Sequence, residues 1–168
     1  KSLESDEVSA IIFDVANHPF FAKVLSPTQL KKDVANDIVR QTLMLINITD
    51  ENDFTSFRAK DIDTFVEWYN EHVDEKDIII LKSALSFLDE KFTEKLNLKS
   101  TSLPMMLYAA YTCVKNEKDF DKFTNIVQTF VDSYGNDIDY VQYCTSGTSS
   151  AQSVQGRFNY WKNLCKGL

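Results

Sequence analysis

Seven stretches of this chain repeat apolar residues at three- and four-residue spacing, the rhythm of one buried helix face. Val8, Ile11, Ile12 and Val15 open the series, behind Ser5, Asp6 and Glu7. Those polar residues suit a helix N-terminus, where free N–H groups and the dipole favour oxygen and negative charge. "NHPFF" ends this helix, because the residue before Pro19 is pushed out of helical geometry. "SPTQLKK" starts the next, with Ser26 as cap and Pro27 at the first helical position. Leu30, Val34 and Ile38 continue its face into the nearly apolar "IVRQTLMLINI", which predicts one helix or two from about Thr28 to Asn47. "TDENDFTSF" is the following loop.

Ile62, Phe65, Val66 and Tyr69 mark a third helix, and Ile78, Leu81, Leu85, Leu88 and Phe92 a longer fourth. "NLKSTSLP" interrupts. Ser102 is the expected cap of a fifth helix, with Leu103 and Pro104 in its first turn and Leu107, Ala110, Tyr111 and Val114 on its inner face. Phe120, Phe123, Val127, Phe130 and Tyr134 give a sixth, with Gly135 placed as its C-terminal cap in the turn-rich "YGNDIDY". Val154, Phe158, Trp161 and Cys165 give a seventh. Only four glycines and three prolines punctuate the 168 residues, too few for a chain of hairpins. The expectation is all-α: one bundle-like helical domain of about seven amphipathic helices over residues 1–168.

The charge balance narrows the function classes. With a net charge of −7 and only Arg40, Arg58 and Arg157 as arginines, the chain lacks the cationic surplus of a dedicated DNA-binding module. Cys113, Cys144 and Cys165 are odd in number and form no C-x-x-C pair, so free thiols in a reducing cytoplasm are expected. No signal peptide and no long apolar run points to a membrane. The chain opens at Lys1 without a methionine, directly in helical sequence, which reads as a piece of a longer protein.

Catalytic constellations are sparse. His18 sits at a helix end, where capping or packing is expected, and His72 at an exposed helix end. Glu67, Glu71, Asp74, Glu75 and Asp77 form an acidic run able to offer oxygen ligands to a hard cation, but calcium-loop spacing is absent and the dipole already accounts for acids at a helix start. Neither a phosphate cradle of the G-x-x-x-x-G-K-[ST] or G-x-G-x-x-G type nor a serine elbow occurs. No metal or cofactor is expected. Trp68, Tyr69, Tyr160 and Trp161 crowd two helices, and one or two of them are expected to touch a partner.

The segment "SGTSSAQSVQGRFNYW" stands apart. Gly147 permits a turn, Thr148 or a neighbouring serine caps the last helix, and Arg157 lies about two turns in. Two readings stay open. Arg157 locks the last helix through a pair or a reach back to the loop, or Thr148, Ser149, Ser150 and Arg157 hold an anion at the helix N-terminus.

"KSLESDEV", the helices after it, "SLPMMLYAAY" and "SGTSSAQSVQGRFNYW" together resemble, in element order and over essentially the whole chain, the helical portion downstream of the nuclease core in the GmrSD-type restriction family (domain of unknown function 262, with a ParB/sulfiredoxin-like core). The resemblance implies a parent protein of phage defence, a nucleotide-dependent endonuclease acting on foreign DNA. The family's Asp-Gly-Gln-Gln-Arg signature and its His-Asn-His domain are both absent here. The chain is therefore expected to be a non-catalytic module that supports the nuclease core or mediates association, self-association included, and meets DNA only through the parent. The alternative is a module that itself contacts nucleotide or nucleic acid through Gly147–Ser150 and Arg157.

Overall fold

The computed structural model describes residues 3–49 and 56–168. Within them the chain forms ten α-helices and one 3-10 turn, with no strand. The helices are α1 (Asp6–Ala16), α2 (Phe21–Val24), α3 (Pro27–Lys31), α4 (Val34–Ile46), α5 (Ala59–Tyr69), α6 (Glu75–Lys91), α7 (Leu103–Lys115), α8 (Phe120–Ser133), α9 (Ile138–Val141) and α10 (Ala151–Leu164), with the 3-10 turn at Tyr134–Asn136 between α8 and α9. All seven expected helices are present. The loop predicted at "TDENDFTSF" lies mostly outside the described residues.

α7 is the axis. Nine of its residues are buried, from Leu103 through Met105, Met106 and Leu107 to Cys113, so it is covered on nearly every side rather than on one inner face. Val114, expected inside, is only partly buried. α4, α6, α8 and α10 pack around it. Each presents one apolar stripe: Ile38, Val39 and Leu43 from α4; Leu81, Leu85 and Leu88 from α6; Phe123, Val127 and Phe130 from α8; Val154, Phe158 and Trp161 from α10.

The ends of the helices explain where the sequence reading was right and where it was not. Ser5 and Ser26 cap α1 and α3 through their hydroxyls, and Ser26 forms a reciprocal capping box with Gln29. Asp33, with φ 58°, separates α3 from α4, so the segment from Thr28 to Asn47 is two helices. Ser102 does not cap α7: its backbone is already helical and its hydroxyl shares a 2.6 Å hydrogen bond with the buried Tyr140 hydroxyl. Gly135 is not a left-handed cap either. It lies within the 3-10 turn, and the cap of α8 is Tyr134.

Two polar clamps seat the N-terminal segment. Asn70 accepts from Ser5 N–H at 2.9 Å and donates to the Leu3 carbonyl at 2.8 Å. Arg40 on α4 reaches Glu4 with Nε at 2.7 Å and Nη2 at 3.2 Å. Burial pushes the Glu4 carboxyl upward, but hydrogen bonds from Arg40 and Ser9 and the Arg40 charge outweigh it and hold the group below its ordinary value. A depressed carboxylate pKa contributes stability above the unfolded value and loses it as pH falls through the folded value. Accordingly Arg40→Ala is expected to cost about 1–3 kcal/mol near neutrality, and the cost should shrink below the unfolded carboxylate range of about pH 4.5. Urea unfolding of both chains between pH 3 and 7 measures this. A pH-independent difference contradicts it.

The end of α7 carries a strained residue. Glu117 has φ 54°, its N–H bonds the Val114 carbonyl, and Lys118 N–H bonds the Cys113 carbonyl at 2.9 Å. This is a Schellman closure with glutamate where glycine fits without penalty. Glu117→Gly is therefore expected to stabilise the chain by about 0.5–1 kcal/mol, read as a raised urea midpoint. A lowered midpoint would contradict the assignment.

Candidate functional site

The loop before α10 is built by three local devices. Gly147 takes φ +55°, and Ser150 N–H closes a turn on the Gly147 carbonyl at 3.0 Å. Ser150 Oγ then accepts from Ser153 N–H, so the hydroxyl cap expected among Thr148 and its neighbours is Ser150. The Ser149 carbonyl accepts from Phe57 N–H at 2.9 Å, tying this loop to the segment that precedes α5.

Thr148, Ser149 and Arg157 line one cleft of about 160 Å³, with Ser100 and Thr101 from the loop before α7 and Asp37 and Gln41 from α4 among its other walls. Ser150, occupied as the cap, is not among the lining residues. Three of the four residues singled out from the sequence thus converge. Thr101 and Gln41 escaped that reading because they arrive from distant segments; the hydroxyl pair in "NLKSTSLP" was the one local hint.

Arg157 is 2% exposed. Its Nη1 donates to the Tyr143 carbonyl at 2.7 Å, which fastens the α9–α10 connection to α10. Its Nε is buried without a partner, and among the described residues no carboxylate lies within ion-pairing distance of the guanidinium. Burial pulls the Arg157 pKa down, opposed by Tyr140 and Cys144. Asp37, the acid in the cleft wall, instead pairs with Arg40 at 3.0 Å. Thr101 Oγ1 is also buried without a well-formed hydrogen bond, its polar neighbour being the Cys144 thiol.

Behind the cleft lies an aromatic core. The Tyr140 hydroxyl accepts from Trp161 Nε1–H at 3.3 Å, and Phe130 meets the Trp161 ring at 4.5 Å and the Tyr140 ring edge-on at 5.1 Å. Tyr69 and Trp161 are buried, whereas Trp68 stacks on His72 at 4.3 Å and Tyr160 donates to Asp137 at 2.5 Å. Trp68 and Tyr160, the half-buried two of the four, thus also have contacts within the chain.

The remaining reactive groups are occupied or quenched. His18 accepts from Phe20 N–H at 3.1 Å and meets Ser86 Oγ at 3.1 Å; exposed His72 bonds the Trp68 carbonyl at 2.7 Å. Burial pushes all three thiols up, Cys165 to about 11. Asp74 caps α6 and Asp77 accepts from Tyr111 at 2.5 Å. Among the described residues no three His, Cys, Asp or Glu side chains converge on a metal-sized position, and no helix is long and apolar enough to cross a membrane. No family model, curated protein or solved structure matches the chain.

Gly156, inside α10, lies beneath the Tyr143 ring: a Cβ there would stand 2.5 Å from ring carbons. An exposed helix interior gains about 1 kcal/mol from Gly→Ala. Here overlap should reverse the sign, and Gly156→Ala is expected to destabilise by about 1–3 kcal/mol. Adding Tyr143→Ala, which keeps the carbonyl that Arg157 holds, should recover part of the loss. Stabilisation by Gly156→Ala in denaturant melts contradicts this packing.

Proposed function

We propose that this chain is a non-catalytic helical module of a larger cytoplasmic restriction-type protein, and that it supports the nuclease core of that protein by direct contact. The restriction context rests on the sequence resemblance. The association role rests chiefly on one observation: the outer face of α6 carries Ile79 and Phe87, 64% and 42% exposed, two turns apart on one strip. Phe120 from α8 lies against Phe87 at 5.2 Å and extends the strip. Large apolar side chains aligned on one helix face suit a protein contact better than solvent.

The test uses the chain and the nuclease core as separate purified proteins. Binding by calorimetry is expected, and Ile79→Ser with Phe87→Ser should weaken it at least tenfold without lowering the melting temperature of the chain. Equal binding by the double variant overturns the α6 assignment. Metal-dependent DNA cleavage or nucleotide hydrolysis by the chain alone, abolished by a substitution within it, overturns the non-catalytic reading.

A further inference from the structure

We propose that the cleft between α4, the loop before α7 and the start of α10 binds a phosphate group, with Arg157 as its buried counter-charge. This inference does not depend on the association role, since the α6 strip and the cleft share no residue.

Burying a guanidinium without an anion is costly, and a protein that does so normally supplies a carboxylate. Arg157 is buried and has none among the described residues. Its single bond goes to the neutral Tyr143 carbonyl through Nη1. That leaves Nε, buried without a partner, beside Nη2 on the side-on edge of the guanidinium. Two parallel N–H donors of this kind match two oxygens of a phosphate.

The rest of the cleft brings hydroxyls, together with one carboxylate, Asp37, and the Gln41 amide. Thr148 and Thr101 bring hydroxyls, and Thr101 Oγ1 is buried with only the Cys144 thiol beside it. Ser149 in the cleft wall directly precedes Ser150, the N-cap of the 14-residue α10, where the helix end is positive. Asp37 on the wall is already matched by Arg40 at 3.0 Å. A volume of about 160 Å³ equals roughly five waters and admits one phosphate with its residual hydration, but not a whole nucleotide. A nucleotide would have to leave its sugar and base outside.

The experiment is thermal unfolding of the 168-residue chain at fixed ionic strength. The additives are sodium orthophosphate, a nucleoside monophosphate, the corresponding nucleoside and sodium chloride. Orthophosphate is expected to raise the melting temperature with saturation, by roughly 5–10 °C at a hundred times its dissociation constant. Chloride and nucleoside should give no saturable rise. Arg157→Gln should abolish the shift. Should that variant fail to fold, Thr101→Val with Thr148→Val decides, since it removes hydroxyls and keeps shape; half-saturation should move up at least tenfold. A nucleoside monophosphate saturating tenfold lower than orthophosphate assigns the group to a nucleotide, and equal values assign it to free phosphate. A rise that is linear in added salt, or that is identical in the threonine variants, overturns the proposal. So does a shift with a single-stranded oligonucleotide alone, which would make the region a nucleic-acid surface.

Discussion

A helix that is buried on nearly every side must be surrounded, and α7 imposes that requirement on the rest of this chain. Its nine buried residues leave little of its circumference for water. Four other helices meet it, and each gives up one apolar stripe to it. α1 then covers the back of α4 with Val8, Ile12 and Val15. The arrangement of the domain follows from covering one segment, "SLPMMLYAAYTCV", rather than from a repeated pairing rule.

The sequence displays this architecture wherever an element is long enough to repeat its pattern. α5, α6, α8 and α10 each run eleven residues or more, which gives three-four spacing several turns to register. α2 and α9 are four residues each, about one turn, and cannot show a period at all. The sequence allowed two helices between Thr28 and Asn47 but did not place the break at Asp33, because the left-handed residue is an aspartate and the apolar rhythm runs on through it. Ser102 misled for a different reason. Its position before Leu103 and Pro104 fits a cap, but the buried Tyr140 hydroxyl needs a partner and takes it. A tertiary demand of that sort has no local signature.

The same division separates the parts of the candidate cleft. Gly147, Ser150 and Arg157 were legible because turn, cap and helix lie within a dozen residues of one another. Their functional meaning was not, because it depends on what fails to arrive. A surface arginine and a buried arginine without a carboxylate look alike in sequence. Only the convergence of α4, the loop before α7 and the loop before α10 shows that Arg157 is enclosed and that its one bond goes to a main-chain oxygen. Gly156 is similar: in sequence it is a weak spot in a helix, in space it is the seat of the Tyr143 ring.

The hydrogen bond from Phe57 N–H to the Ser149 carbonyl has a kinetic consequence. It joins the first half of the chain to the approach of the last helix, so it forms only when most of the intervening backbone is already compact. Closing so long a segment early has a large entropic cost, though that cost grows only with the logarithm of its length. A helical domain of this size is otherwise dominated by neighbours in sequence, which fold fast. The link thus places a slow, topologically distant event inside a fast-folding class. α10 is thereby tied, through the loop before it, to a segment far away in sequence, so its seat depends on the first half of the chain as well as on its own neighbours.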